Sequence, residues 1–266
     1  MLKQFNCPDG ETRNIKDCLE QCGNPAGRCL SLPTLHALGN VREWTGGPST
    51  TQLLNPTRME YLKIQNDYSL NPFNMAFALL GSRHHGMLEQ VAKKIDGLVS
   101  EKKLTGEVTG IVDLLEPING DNYRLIDYKT YGSYAVKKHI TTDPKDEYDR
   151  HALALQMNNY RLMAQGLGFN ITELKCQITV RDGNTQSAYK NGINFNIIMV
   201  NIPILDDDDV LEYFLTKSQA LTMALTKQTL PELCNYQERW SGRRCKSYCD
   251  VARFCPEGRK INKVVD

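Results

Sequence analysis

The sequence predicts an α/β fold in which a mixed central β-sheet is flanked by helices. Residues 107–116 and 123–130 carry the residue pattern of paired strands, and the Asn119-Gly120 pair between them is a strong hairpin signal. Helical periodicity returns on both sides of this hairpin. A hairpin enclosed by helical segments along the chain is typical of domains that pack helices on a sheet.

The other elements follow from local signals in chain order. Four segments have helical periodicity, at residues 55–66, 72–99, 149–167 and 207–228, and two further segments have strand character, at residues 176–181 and 194–202. Residues 131–150 are polar, and we expect an exposed loop there. The acidic run at residues 206–209 is interpreted as a solvated helix start, because carboxylates are favoured near the positive end of the helix dipole.

Composition sets the scale of the protein. With 266 residues and 41% hydrophobic content, the chain can bury one full core, so we expect one globular domain with additions. The net charge is +1, so any nucleic-acid surface must come from local clustering of basic residues. The sequence contains no apolar run of the roughly 18 residues that span a bilayer, and its first residues lack a signal-peptide pattern. We therefore expect a cytoplasmic protein without membrane contact.

Eight of the nine cysteines fall into two groups of nearly equal spacing. Ten, three and six residues separate the members of the N-terminal quartet, and ten, three and five separate those of the C-terminal quartet. The quartets are Cys7, Cys18, Cys22 and Cys29, and Cys234, Cys245, Cys249 and Cys255. Either quartet offers four thiolates to Zn²⁺ or to a 4Fe-4S cluster, and spacing alone does not decide between them. The ninth, Cys176, lies in a predicted strand and is expected in the core.

Ionisable residues interrupt the predicted hairpin. Asp113 lies in the first strand, and strand alternation turns Asp127 and Lys129 of the second strand to one face. Ionisable side chains are costly to place among apolar residues unless they bind something. Two carboxylates and an ammonium group near one point suit metal-assisted hydrolysis of a phosphodiester, because Mg²⁺ and Mn²⁺ favour oxygen ligands.

Polar residues at helical spacing flank this hairpin on both sides. Gly81, His85 and Glu89 are four residues apart and therefore share one face of the preceding helix. Gln156 and Tyr160 have the same spacing on the following helix. The chain thus contains four ordered elements, which are G-x-x-x-H-x-x-x-E, a strand Asp, D-x-K and Q-x-x-x-Y.

This order resembles the PD-(D/E)XK nuclease superfamily, and specifically its RecB-like branch, which includes nuclease domains of bacterial recombination complexes and CRISPR adaptation nucleases. The resemblance covers residues 81–160, and Val112 stands where the superfamily name has proline. It implies a restriction-endonuclease-like core. It also implies three parts, which are a cysteine-rich metal-binding segment at residues 1–30, a nuclease core at 31–230 and a second cysteine-rich metal-binding segment at 231–266.

The resemblance implies a role for each motif residue. His85, Asp113 and Asp127 would bind a divalent metal ion, Mg²⁺ or Mn²⁺, with the carbonyl of Tyr128 as a further ligand. Lys129 would orient or activate the attacking water. Gln156 and Tyr160 would shape the site and hold the substrate backbone, and Glu89 completes the catalytic set.

Some RecB-like nucleases hold an iron-sulfur cluster with one cysteine before the catalytic helix and three near the C-terminus, spaced C-x₂-C-x₅-C. Here Cys245, Cys249 and Cys255 are spaced C-x₃-C-x₅-C. We expect a 4Fe-4S cluster rather than Zn²⁺ in the C-terminal quartet, and Zn²⁺ in the N-terminal quartet. A cluster shared between the two ends of the chain, with a leftover zinc site, is the main alternative.

These features predict a metal-dependent DNA nuclease. The resemblance favours an exonuclease that acts on single-stranded DNA or a duplex end in recombination, repair, or phage or mobile-element DNA processing, with a helicase or recombination protein as partner. Arginines around Trp240, beside the C-terminal quartet, are the best candidates for DNA contact. The alternatives are a noncatalytic nucleic-acid-binding subunit on a nuclease fold and an RNA-directed nuclease.

Overall fold

In the computed structural model the chain forms two compact units, and residues 1–40 and 44–263 are described. One unit comprises Met1–Gly47, Asn55–Leu79 and Lys217–Asp266, and the other comprises Pro48–Leu54 and Leu80–Thr216. The division at residues 1–30, 31–230 and 231–266 stays a prediction. Small parts of it, residues 41–43 and 264–266, lie outside the described residues.

The elements are numbered in chain order. The strands are β1 (Leu2–Asn6), β2 (Thr12–Asn14), β3 (Tyr68–Leu70), β4 (Val99–Leu104), β5 (Gly110–Pro117), β6 (Asn122–Tyr131), β7 (Asn170–Val180) and β8 (Ile197–Ile202). The helices are α1 (Ile15–Glu20), α2 (Leu32–Gly39), α3 (Thr50–Leu54), α4 (Thr57–Gln65), α5 (Ala76–Ala92), α6 (Ser133–Ile140), α7 (Glu147–Gln165), α8 (Gln186–Lys190), α9 (Asp207–Lys227) and α10 (Pro256–Asn262). Across the described residues, none of these helices combines the length and apolar character that a bilayer span requires.

The second unit is built on a five-stranded sheet in the order β4-β5-β6-β7-β8. Its pairs are antiparallel except for β6 and β7, which are parallel. The parallel pair needs a long crossover, and α6 and α7 provide it. This mixed sheet flanked by helices agrees with the predicted α/β class.

The main core of this unit packs α7 against the sheet. Met157 of α7 and Leu125 and Ile178 of the central strands are fully buried within one apolar cluster. A smaller cluster joins Ala92 of α5 to Leu114 and Ile126, which seats the end of that helix on β5 and β6. Both helices that carry the predicted site residues are thereby fixed against the strands that carry the others.

The first unit contains a small sheet in the order β2-β1-β3, in which β2 is antiparallel and β3 parallel to β1. This sheet was not predicted, because its strands have only five, three and three residues. The fully buried Phe5 anchors β1.

Two element predictions are wrong. The predicted helix at residues 72–99 ends at Ala92, and Val99 begins β4. The predicted loop at residues 131–150 instead contains α6, a short 3-10 turn and the start of α7. Its basic residues are used internally, since Lys138 pairs with Asp149 and Arg150 donates to two backbone carbonyls of the same segment. The acidic run does begin a helix, because the Asp206 side chain accepts hydrogen bonds from the first turn of α9.

Candidate active site

The site begins where the pairing of β5 and β6 stops. Leu114 and Ile126 are the last paired residues at this end. Asp113, just before Leu114 on β5, and Asp127, just after Ile126 on β6, lie beyond this pair. The backbone N–H of Tyr128 donates to Asp113 Oδ2 at 2.7 Å, so a carboxylate takes the place of a strand carbonyl. The two strand carboxylates therefore lie side by side at the opening of the hairpin.

Asp127 is the buried centre of this group. Its side chain is 4% exposed, and Lys129 Nζ lies 2.7 Å from its Oδ2. Burial raises the pKa of the Asp127 carboxyl, and the nearby Asp113 acts in the same direction. Burial alone would lower the pKa of Lys129. The attraction of the Asp127 carboxylate is larger than this effect of burial, and the pKa of Lys129 is therefore raised above its usual value. Lys129 is therefore a protonated partner of Asp127 in the metal-free protein.

Cys176 lies opposite Asp127 in the register of β6 and β7, with its Sγ 4.0 Å from Asp127 Oδ2. The side chain is fully buried, which confirms its assignment to the core. Burial raises the pKa of this thiol, and the Asp127 charge raises it further. Cys176 therefore stays a neutral thiol beside the carboxylate.

The preceding helix, α5, brings His85 to Asp113. His85 Nδ1 lies 3.4 Å from Asp113 Oδ1, and this contact raises the pKa of the imidazole. Gly81, one turn earlier, faces Thr130 of β6, where an added Cβ would meet Thr130 Oγ1 at an ordinary 3.6 Å. The face that carries Gly81 and His85 is thus the face that packs over the open end of the hairpin.

On α7, Gln156 and Tyr160 extend the site from Asp127. Gln156 Nε2 lies 3.3 Å from Asp127 Oδ1 and 3.4 Å from the Tyr160 hydroxyl. Tyr160 is buried and packs directly on Gly110, where an added Cβ would lie 2.6 Å from Tyr160 Cε1. Only glycine at position 110 leaves room for this ring, so the glycine that begins β5 positions the polar chain that reaches Asp127.

Two further residues of α5 behave differently from expectation. Glu89 forms an ion pair with Lys93 one turn later rather than with the strand residues. His84 was expected at the surface, but it is half-buried, with Nε2 3.5 Å from Thr179 Oγ1 and its ring edge-on to Tyr128. Burial lowers the pKa of His84, so its imidazole is neutral near pH 7.

The sequence reasoning missed Glu101. This residue lies on β4, between the pairs Ser100–Leu114 and Lys102–Val112, and so stands opposite Asp113. Its backbone has φ of 48°, a left-handed conformation within a strand. Burial raises the pKa of Glu101, and the charges of Asp113 and Glu89 add to the shift. In the sequence, Glu101 belongs to a polar S-E-K-K run that gives no sign of a site.

These residues include a donor set suited to a divalent cation. Among the described residues, one nitrogen or oxygen from each of His85, Glu101 and Asp113 lies within 4.8 Å of the other two. Mg²⁺ binds oxygens at about 2.0–2.1 Å in an octahedron, so opposite ligands stand roughly 4.2 Å apart. The 4.8 Å limit is about 0.6 Å wider than this, so a small side-chain movement would bring the three donors around one ion. Neither cysteine quartet reaches the same spacing among the described residues.

The N-terminal quartet is assembled from a hairpin and a helix. Cys7 begins the tight turn between β1 and β2, where its N–H donates to the Glu11 carbonyl at 2.8 Å and Gly10 has φ of +88°. Cys18 lies on α1 and is buried. Burial raises the pKa of Cys18, and the three other thiols of the quartet raise it further, so each of them lies within electrostatic range of Cys18.

The C-terminal quartet is bordered by guanidinium groups. Arg58 of α4 donates through Nε to the Pro231 and Glu232 carbonyls at 2.8 and 3.0 Å, and its Nη1 lies 3.8 Å from Cys255 Sγ. Arg239 Nε and Arg244 Nη1 are buried without a hydrogen-bond partner among the described residues. Burial raises the pKa of Cys234 to about 11, with Cys255 among the charges that add to the shift.

The arginine-rich stretch beside this quartet is folded around Trp240. The Arg244 guanidinium lies over the indole at 4.1 Å from its centre, and Tyr248 meets the indole edge-on at 5.6 Å. Tyr248 is exposed. This arrangement leaves an aromatic and cationic surface, although Arg161, another basic residue of the sequence, is buried on α7 and pairs with Asp207.

Comparison with known proteins gives the family of the chain. No curated protein matches the chain. A solved structure described as "Crystal structure of SSO0001" is similar, with 17% sequence identity, a TM-score of 0.49, and coverage of 92% of this chain and 94% of that chain. The family model of the PD-(D/E)XK nuclease superfamily matches residues 76–256, which is more than half of the sequence. The chain belongs to the PD-(D/E)XK nuclease superfamily, whose members are metal-dependent nucleases.

Proposed function

We propose that this protein is a DNA exonuclease of the RecB-like branch that uses Mg²⁺ or Mn²⁺. The observation that carries the proposal is the convergence of Asp113, Asp127 and Lys129 at the open end of the β5–β6 hairpin, with His85 supplied by α5. The RecB-like assignment is supported by the His85 helix and by the Gln156 and Tyr160 pair, which reaches Asp127 from α7.

The residues divide the reaction between them. His85, Asp113 and Asp127, with the Tyr128 carbonyl, would hold the ion, which supplies Lewis-acid activation of the phosphate and a more acidic bound water. Lys129, 2.7 Å from Asp127, would orient the attacking water and offset negative charge that develops on the phosphate. Hydrolysis adds hydroxide to phosphorus and a proton to the departing sugar oxygen. Gln156 holds Asp127 in orientation through its side-chain amide.

The test is a cleavage assay on end-labelled single-stranded DNA, duplex DNA, closed circular DNA and RNA, with Mg²⁺ or Mn²⁺. The wild-type protein should degrade linear DNA from an end and leave the circle intact. Asp113→Asn should lose activity without loss of thermal stability beyond a few degrees. Lys129→Met should also lose activity, and because it leaves the buried Asp127 unpaired, circular dichroism is used to establish that this variant is folded. Asp121→Asn and Lys103→Met are matched controls, because both residues are exposed on the same hairpins.

Each arm can refute a different part of the proposal. Full activity in Asp113→Asn would refute the site, and cleavage of closed circles would refute the exonuclease. Cleavage of RNA alone would refute DNA as substrate. A wild-type protein that cleaves none of these substrates with either metal would refute the nuclease itself.

The cysteine quartets are proposed to hold two separate centres, a 4Fe-4S cluster at the C-terminal quartet and Zn²⁺ at the N-terminal quartet. The spacing of Cys245, Cys249 and Cys255, which is one residue longer than the C-x₂-C-x₅-C of cluster-bearing RecB-like nucleases, supports the cluster. Metal binding at either centre would stabilise the fold of the segments that carry its cysteines. Anaerobically purified protein should absorb near 400 nm and contain about four iron atoms and one zinc atom per chain. Colourless protein with two zinc atoms would refute the cluster.

We extend the proposal to a surface for DNA contact and to a partner. Trp240 and the exposed Tyr248 offer faces on which bases can stack, and the Arg244 guanidinium adds charge for the phosphates. An exonuclease needs a strand end, so a helicase or recombination protein that separates strands in the cytoplasm is the partner we propose. Trp240→Ala should weaken single-stranded DNA binding in a fluorescence anisotropy assay, while unchanged affinity would remove this surface from the proposal.

A further inference from the structure

The carboxylate of Glu101 stands at the edge of the nuclease centre, outside the motif residues. We infer that Glu101 is an additional ligand of the divalent metal ion, beside His85 and Asp113. The inference rests on the proposed function, because the ion is the one that the nuclease reaction uses. It assigns to β4 a direct part in the centre, which otherwise comes from β5, β6 and two helices.

The first argument is the register. Ser100 pairs with Leu114 and Lys102 pairs with Val112, so Glu101 faces Asp113 across the β4–β5 pair. One carboxylate oxygen of each residue lies within 4.8 Å of the other, and two carboxylates at that distance repel each other. A cation between them removes the repulsion.

The second argument is the backbone. Glu101 has φ of 48° in the middle of a strand, a conformation that is unfavourable for a non-glycine residue. Strain of this kind persists where the surrounding structure holds it, and it concentrates at ligand sites. Here the irregular residue is the one whose carboxylate joins His85 and Asp113.

The third argument is the spacing of the donor atoms. His85 Nδ1 and Asp113 Oδ1 are 3.4 Å apart, and the three donors are all within 4.8 Å of one another. Adjacent ligands of an octahedral ion at about 2.1 Å stand roughly 3 Å apart, and opposite ligands roughly 4.2 Å. All three side chains are half-buried, so positions for water and a phosphate oxygen stay open.

The fourth argument is the charge of the neighbourhood. Glu101 is close to two other carboxylates, Asp113 and Glu89. The nearby cation Lys93 is already engaged, since it pairs with Glu89, and an imidazole that binds a metal ion is neutral and offsets no charge. A divalent ion would neutralise the excess negative charge of these three carboxylates.

Calorimetric titration of the full chain with Mn²⁺ tests the inference. Glu101→Gln removes the charge and keeps the size, whereas Glu101→Gly removes the ligand and relieves the left-handed backbone. Both should weaken Mn²⁺ binding by roughly tenfold or more, since even outer-shell partners change metal affinity by that factor. Glu101→Gly should melt no lower than the wild type, which separates ligand loss from unfolding. Glu107→Gln, at the exposed tip of the same hairpin, should bind Mn²⁺ as the wild type does.

The outcomes separate this inference from the proposed function. Wild-type Mn²⁺ affinity in both Glu101 variants, with loss in Asp113→Asn, overturns the role of Glu101 and leaves the nuclease proposal standing. Weakened Mn²⁺ binding in the Glu101 variants of a protein that cleaves no nucleic acid supports the ligand and overturns the nuclease proposal. Equal weakening in Glu107→Gln also overturns the inference, because the effect would then be one of overall charge.

Discussion

The contact between Gly110 and Tyr160 allows a quantitative prediction for Gly110→Ala. An alanine Cβ would lie 2.6 Å from Tyr160 Cε1 and 3.0 Å from Cδ1. Carbon atoms pack best at about 3.5–4.0 Å, so the ring must withdraw by roughly 1 Å. Overpacking of a buried ring by one methyl group costs about 1–3 kcal/mol. For a chain of this size we expect the melting temperature to fall by roughly 4–8 °C for 2 kcal/mol.

The same displacement should reach the catalytic group. The Tyr160 hydroxyl lies 3.4 Å from Gln156 Nε2, which lies 3.3 Å from Asp127 Oδ1. Both contacts are near the limit of a hydrogen bond, and a shift of about 1 Å would break the first. We therefore expect Gly110→Ala to lower the cleavage rate as well as the melting temperature.

Differential scanning fluorimetry and the end-labelled DNA assay measure the two effects, and a double-mutant cycle assigns them. In a Tyr160→Leu background the added methyl group meets no ring, so its cost should largely disappear. Gly86→Ala is the matched control, because an added Cβ there meets nothing within 4 Å and alanine is the better helix former. If Gly110→Ala lowered the melting temperature equally in both backgrounds, the Tyr160 contact would not be its cause.

Three further predictions concern the pH dependence of stability, the metal content of the C-terminal quartet and the free energy of unfolding. His139 stacks on Tyr131, and burial lowers the pKa of its imidazole. As the pH drops below about 6.5, the histidine therefore binds a proton in the unfolded chain before it does so in the folded protein, and the stability of the fold decreases. His139→Phe should reduce the fall in melting temperature between about pH 7.5 and 5.5, and an unchanged fall would contradict this. Arg58→Lys should lower the metal content of the C-terminal quartet, measured by elemental analysis, because lysine cannot reach two carbonyls and Cys255 at once; full occupancy would contradict it. Asn158→Ala removes a buried amide with four hydrogen bonds and should cost about 3 kcal/mol in urea unfolding, whereas a loss below about 1 kcal/mol would not fit.

The hairpin that carries Asp113 and Asp127 was predictable because its signals are local. Apolar alternation identifies β5 and β6, and the Asn119-Gly120 pair marks the turn, in which Gly120 has φ of 52°. Ionisable residues inside apolar strands are equally visible in the sequence. The predicted placement of His85, Gln156 and Tyr160 likewise depends only on helical spacing.

The segment after β6 was predicted wrongly because its stabilising contacts are distant in sequence. The first turn of α6 is capped by Asp182, whose carboxylate accepts from the Ser133 N–H and hydroxyl at 2.6 and 2.7 Å. These residues are 49 positions apart. Val136 is the one large apolar residue of α6 that is fully buried. The sequence of this segment is therefore mostly polar and resembles that of an exposed loop. Tertiary contacts, and not local pattern, make this helix.

The strand β4 was missed for a related reason. Its sequence, VSEKKL, has a single fully buried apolar residue, Leu104, and its charged residues suggest a solvated helix end. Pairing with β5 determines its conformation. Glu101 could not be recognised as a site residue until that register placed it opposite Asp113.

The neutral, fully buried thiol of Cys176 has a consequence for the response of the protein to oxidants. Thiols react with peroxide and with disulfides as thiolates, and a buried thiol of raised pKa beside a carboxylate supplies almost none. The quartets are different, since six of their eight members are partly exposed. Oxidative damage should therefore begin at the two cysteine quartets and spare the sheet that holds Asp113 and Asp127.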